Sequence, residues 1–182
     1  MKGLTKIFLG TAVFLLSVSQ AYAASDGTVG LTSTGSSTLS LTIPEFVVIS
    51  GMADFGFGSW NGTSALDLDD DVIISGNDDQ ASPTYKVNIV GNGAAGAFTM
   101  ARSAPAAPGA SIAYTVEFND ATGTGGVSVT KGVDVTAQSG INGTLDSTNE
   151  NANIRVQISL AALQAAPYGT YGGTLTIVVT PE

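Results

Sequence analysis

Apolar and polar residues alternate in short bursts along most of this chain, and the period is two. Tyr85, Val87 and Ile89 fall on one side of Tyr85–Val90, and Ile112, Tyr114, Val116 and Phe118 repeat the step. Ile154, Val156 and Ile158 do the same, and the C-terminal stretch carries Tyr171, Leu175, Ile177 and Val179 at one parity. Successive side chains of extended backbone point to opposite faces, so each burst predicts a strand with one apolar face. Phe46–Ile49 reads as a short strand buried on both faces, and Met52–Gly58 as a turn into another. Val72–Ile74 and Phe98–Ala101 add short strands, and Val127–Val135 adds one or two around Lys131-Gly132. Asp67–Asp71 reads as an acidic loop, and Ala104–Gly109, with Pro105 and Pro108, as another loop. Leu160–Ala166 alone resembles a helix, limited to a turn or two by Pro167.

Many short strands joined by glycine turns, with no long amphipathic helix, predict an all-β protein. The expected architecture is an immunoglobulin-like antiparallel β-sandwich, with an eight-stranded barrel as the alternative. Tyr171, just after a tight turn and entering a late strand, fits a tyrosine corner, in which the hydroxyl bonds back to upstream backbone. An ordinary half-buried strand tyrosine fits the same position.

One stretch stands apart. Thr28–Ile43 is rich in Thr, Ser and Gly, yet Val29 and Leu31 sit two apart and Leu39, Leu41 and Ile43 repeat that spacing after a break. Thr38, Ser40 and Thr42 occupy the opposite face, and Pro44 ends the ladder by removing a donor. Upstream, Lys2 and Lys6, the apolar run Ile7–Val18 and the small-x-small pattern Ala21-Tyr22-Ala23 form an export signal. That run is too short to span a bilayer. The expected organisation is therefore a signal at 1–23, an N-terminal extension at 24–43 and one sandwich domain at 44–182, with no membrane insertion once the signal is removed.

Composition narrows the function. The chain has no cysteine and no histidine. Disulfides, Ser-His-Asp and Cys-His nucleophiles, a lipidated cysteine and histidine- or cysteine-ligated zinc are therefore excluded. Beyond the signal, Lys86, Arg102, Lys131 and Arg155 stand against fifteen carboxylates, a surface that repels nucleic acid and anionic lipid. Gly91–Gly96 and Gly123–Gly126 open no helix and make poor phosphate cradles. Asp67, Asp69 and Asp71 occupy the first, third and fifth positions of a calcium-loop count, with Asp78 at the twelfth. Val72 stands where that loop needs glycine, so a solvated acidic loop is the favoured reading and weak calcium binding the alternative. Trp60, beside Asn61-Gly62, is the one aromatic expected to be exposed enough to stack on a sugar, while Phe55 and Phe57 are expected in the core. No carboxylate pair stands out for general acid–base work. No cofactor is expected, and the chain reads as a non-enzyme.

The ending Asn151-Ala152-Asn153-Ile154-Arg155-Val156 … Gly169-Thr170-Tyr171-Gly172-Gly173-Thr174-Leu175-Thr176-Ile177-Val178-Val179 resembles bacterial pilin-like proteins. It is most similar to the spore coat U-like subunits of archaic chaperone–usher pili. It also resembles an uncharacterised exported family marked by a C-terminal Gly-Thr-Tyr motif, here Gly169, Thr170 and Tyr171. Related pilins often carry a disulfide where this chain offers Val72 and Ser147 or its neighbours, a departure from the pattern.

The resemblance implies a sandwich that lacks its last strand, covered first by a periplasmic chaperone and then by the extension of a neighbouring copy or related subunit at an outer-membrane usher. It implies that Leu39, Leu41 and Ile43 drop into successive pockets, with Leu31 and Val29 as further anchors. Burying three aliphatic side chains contributes about 1.5–3 kcal/mol each, or roughly 5–9 kcal/mol together, comparable with the stability of a small domain. The implied role is a surface or extracellular filament supporting adhesion or biofilm formation. On pattern alone, Thr28–Ile43 fits equally the first strand of a complete sandwich. A self-contained secreted or periplasmic sandwich that binds carbohydrate or another ligand, with or without calcium, is the alternative function.

Overall fold

A computed structural model describes residues 24–78, 82–105, 110–142 and 149–182. The export signal expected at 1–23 and the Ser147 position lie outside the described residues. The chain divides into two units, Met1–Ile43 and Pro44–Glu182.

The second unit is an antiparallel β-sandwich. Its strands are β1 (Val47–Ser50), β2 (Leu66–Gly76), β3 (Thr84–Gly91), β4 (Thr99–Ala104), β5 (Ser111–Ala113), β6 (Thr115–Asn119) and β7 (Val127–Ser128). There follow β8 (Val135–Ser139), β9 (Ile141–Asn142), β10 (Ala152–Ile158), β11 (Thr170–Gly172) and β12 (Leu175–Pro181). One sheet runs β1-β2-β10-β6-β7, with β9 pairing parallel to the end of β2; a second runs β12-β3-β8, and a third β11-β4-β5. The first order and the β12-β3 pair match the A-B-E-D and F-C strands of an immunoglobulin sandwich.

The alternating side chains pack as their period requires. Val72 and Ile74 of β2, Val116 and Phe118 of β6, and Ile154, Val156 and Ile158 of β10 face Tyr85, Val87 and Ile89 of β3, all fully buried or nearly so. Tyr85 meets Phe118 edge to face and donates its hydroxyl hydrogen to Asp120 Oδ1 at 2.8 Å. Burial, and then the Asp120 carboxylate, push that phenol far above its ordinary pKa. Before β10 begins, the Asn151 side chain acts as a short strand: Oδ1 accepts from Ile74 N–H (2.7 Å) and Nδ2 donates to the Ile74 carbonyl (3.0 Å).

Three readings need correction. The acidic stretch Asp67–Asp71 is not a loop but lies within β2, in continuous register with β10. The single alternation Ile112–Phe118 is two strands that divide at Tyr114, because β5 pairs with β4 while β6 pairs with β10. Gly51–Ala65 contains no strand, and β2 begins only at Leu66. By contrast, Leu160–Ala165 is a helix (α1) as the sequence indicates, capped by Ser159 Oγ accepting from Ala162 N–H. Tyr171 forms the tyrosine corner: its hydroxyl donates to the Pro167 carbonyl at 2.6 Å.

Candidate functional site

The outward edge of β12 is the first element of the site. Glu182 N–H bonds Thr84 and Asn92 N–H bonds the Thr174 carbonyl, which fixes the even-numbered residues of β12 as those hydrogen-bonded to β3. Leu175, Ile177 and Val179 therefore turn their main-chain groups away from β3, while their side chains pack against the core. No described strand pairs with that edge. In an immunoglobulin sandwich it is covered by the seventh strand. The opposite edge of the same sheet is protected: in β8, Ala137 has φ 57°, the pairing register shifts, and Glu182 Oε2 accepts the Ala137 N–H.

Across from β12 lies the edge of β1. The Phe46–Asn77 pair sets its register, so Val47 and Ile49 turn their main-chain groups away from β2. β1 and β12 come within 8 Å between Cα atoms without forming a ladder. A strand seated between two others holds them about 9.6 Å apart, so this end of the gap is narrow.

Beyond β1 the gap opens, because the next segment is coil. Asp70 Oδ2 accepts the Ala53 N–H (2.7 Å), and Trp60 Nε1 donates to the Ser64 carbonyl (2.7 Å), fixing both ends of this wall. Phe55, Phe57 and Trp60 pack half-buried against the core. Gly56 and Gly58 alternate with the phenylalanines, and Gly172 stands on the facing wall; a Cβ at any of the three would meet nothing within 4 Å. The groove comprises a cavity of about 370 Å³ between Met52, Phe55, Tyr114 and Leu175 and one of about 840 Å³ between Trp60, Ile112, Leu163 and Tyr171. Phe55, Phe57, Met100 and Gly173 line both, so the two are continuous. Asp54 is the one ionisable acid or base on these walls apart from two tyrosine hydroxyls and that of Tyr168. The groove walls expose polar and apolar surface in similar measure, and no acid–base pair converges among the lining residues.

The Gly169, Thr170 and Tyr171 motif closes the far end. Thr170 and Tyr171 pair with β4, and a Cβ on Gly169 would come within 2.6 Å of the Ala104 carbonyl, so glycine is required there by close approach.

In the first unit, Leu39, Leu41 and Ile43 are 95%, 85% and 68% exposed and belong to no strand. Val29 and Leu31 are fully exposed, but they sit in a separate loop closed by a Ser25–Ser36 bridge with both main-chain bonds and an Oγ–Oγ contact of 2.6 Å. The β11–β12 edge from Tyr171 to Val179 spans about 27 Å, whereas an extended chain from Val29 to Ile43 spans about 47 Å. Leu39 to Ile43 alone spans about 14 Å at the same rise, and all five residues expected as anchors lie in the first unit.

The carboxylates Asp67, Asp69 and Asp71 share the outer face of β2. Asn153 Nδ2 reaches Asp69 (3.2 Å) and Asp71 (2.7 Å), Gly123 N–H reaches Asp71, and Arg155 bridges Asp67 to Glu117. The Arg155 hydrogen bond holds the Asp67 carboxyl below the ordinary range and, reciprocally, raises the guanidinium. Among the described residues no three acids converge as a metal site. Trp60 is half-buried in the groove wall, while the aromatic with an open face is Tyr168, stacked under Arg102 at 5.0 Å, which the sequence pattern did not single out. Among the described residues, no helix is long and apolar enough to cross a membrane.

Comparison with protein-family models gives no match, and comparison with curated protein sequences gives none. Among solved structures the chain is similar to one described as "Chaperone-tip adhesin complex is vital for synergistic activation of CFA/I fimbriae biogenesis". The identity is 14% and the TM-score 0.49, over 75% of this chain and 42% of that one. The chain thus spans less than half the length of the solved chain it matches.

Proposed function

We propose that this protein is a non-enzymatic structural subunit of an extracellular fimbria-like filament, in which the extension of one copy completes the sandwich of the next. The carrying observation is the unpaired outer edge of β12, where Leu175, Ile177 and Val179 turn their main-chain groups outward and Leu175 lines the adjoining groove. A regular apolar edge left open is an aggregation hazard unless a strand covers it. The same chain carries a strand-length ribbon, Leu39-Ser40-Leu41-Thr42-Ile43, with exposed apolar residues at the required period. The other face of that ribbon, Ser40 and Thr42, is suited to solvent.

In this reading Leu39, Leu41 and Ile43 of one copy fill the groove of its neighbour, and seating them pushes β1 outward from β12. A periplasmic chaperone covers the edge during transit, an outer-membrane usher exchanges it for the next extension, and the filament supports adhesion or biofilm formation at the cell surface. The test is size-exclusion chromatography of the mature chain with and without excess synthetic peptide of residues 28–43. Polymers that give way to peptide-bound monomers support the proposal. A monomer that ignores the peptide opposes it.

A further inference from the structure

One side chain ties the start of the second unit to the end of β2. Asn77, just past β2, accepts the Phe46 N–H on Oδ1 (2.8 Å) and donates Nδ2 to the Pro44 carbonyl (2.9 Å). Its own N–H goes to the Phe46 carbonyl at 3.3 Å. Pro44 adds a fixed φ and no donor. Residues 44–46 are thereby tied to the end of β2.

That tie bears on a competition built into any chain carrying both ribbon and groove: the ribbon can turn back along its own β1. Such a hairpin must use the outward main-chain groups of Val47 and Ile49, whose side chains also pack on the core. Residues directly opposed in an antiparallel pair share a face. A two-residue turn would set Ile49 opposite Thr42 and so turn Thr42 and Ser40 inward; one residue of register exchanges the two faces. Burying Leu41 and Ile43 beside Ile49 and Val47 needs the three-residue loop Pro44-Glu45-Phe46. That loop type holds its last residue in the left-handed region, where a bulky side chain is strained. Phe46 has no positive φ here, and its N–H is committed to Asn77. A five-residue loop restores the face but leaves Ile43 in the turn and still bends through Pro44–Phe46.

We propose that Asn77 is a positioning residue that keeps the ribbon off its own β1 and so reserves the groove for a second copy. The inference rests on the reading of the groove as a strand acceptor. Two neutral hydrogen bonds to the side chain are each worth roughly a factor of five, so Asn77→Ala shifts the balance toward self-closure about five- to thirtyfold.

The experiment refolds the full mature chain at low concentration and measures capture of a fluorescent peptide of residues 28–43. Three chains are compared: wild type, Asn77→Ala, and Asn77→Ala combined with Leu39→Ser and Leu41→Ser. Wild-type capture, a five- to thirtyfold loss in Asn77→Ala, and recovery when its own ribbon is disabled are the expected results. Capture by Asn77→Ala equal to wild type overturns the role of Asn77 while leaving the acceptor groove intact. Loss that the ribbon substitutions do not restore reports damage to the fold and overturns it too. Absence of capture by the wild type overturns the acceptor reading itself.

Discussion

Leu41→Ala separates a ribbon that serves another molecule from one that serves its own core. In the lone chain Leu41 is 85% exposed, so truncating it removes little buried surface, and the change in the chain's own stability should stay within about 0.5 kcal/mol. In a neighbour's groove the same change withdraws three carbons from burial. At about 0.8 kcal/mol per methylene this is about 2.4 kcal/mol, or roughly sixtyfold in affinity, and more if the vacated space cannot collapse. The assay competes wild-type and Leu41→Ala peptides of residues 28–43 for the mature chain by fluorescence anisotropy, beside thermal melts of the corresponding full chains. Thr42→Ala, on the opposite face, serves as control and should change affinity less than about threefold. A Leu41→Ala chain that melts several degrees lower while its peptide competes as well as wild type would refute the reasoning.

Three further outcomes follow from the sandwich itself. Asn151→Ala leaves the buried Ile74 N–H and carbonyl without their side-chain partner, and thermal melts should show a loss of about 2–4 kcal/mol, roughly 5–15 °C in Tm. Tyr85 is held neutral by burial and by Asp120, with its pKa raised above the unfolded value of about 10. Its contribution is thus complete below pH about 10 and lost as pH rises beyond it; Tyr85→Phe should flatten that alkaline limb in pH-dependent denaturation while costing about 1–2 kcal/mol near neutrality. Asp67 has the opposite sign: its lowered carboxyl, held first by the Arg155 hydrogen bond, contributes stability above the unfolded value near 3.9 that disappears as pH falls through the folded one. Arg155→Gln should reduce the acid slope below pH about 4 in the same titration, with a change of no more than about 1 kcal/mol at neutral pH because the pair is partly exposed and screened by solvent.

The strands were legible where one face is apolar and the other polar. Tyr85, Val87 and Ile89, and likewise Ile154, Val156 and Ile158, lie in the core that their spacing indicates, and Tyr171 could be placed from its turn. Asp67–Asp71 misled because the compensation is distant: Asn153 and Arg155, more than eighty residues along, make an acidic run acceptable on a strand. Ile112–Phe118 misled for a different reason. Its side-chain alternation continues unbroken while the pairing partner changes from β4 to β10, and periodicity records faces, not partners. The groove was outside the reach of sequence pattern, because it depends on which strand lies beside β12. Spacing supplied the ribbon, but not the Ser25–Ser36 bridge that places Val29 and Leu31 in a loop apart from Leu39, Leu41 and Ile43.

Hydrogen–deuterium exchange on the mature chain, alone and with the 28–43 peptide, probes the open edge most directly. The main-chain N–H groups of Leu175, Ile177 and Val179 should exchange fast in the monomer and become protected when the peptide binds, while Thr176 and Val178, already bonded to β3, change little. Equal protection of all five in the lone monomer, or continued fast exchange of the three odd-numbered amides with peptide bound, would contradict completion of β12 by a second molecule.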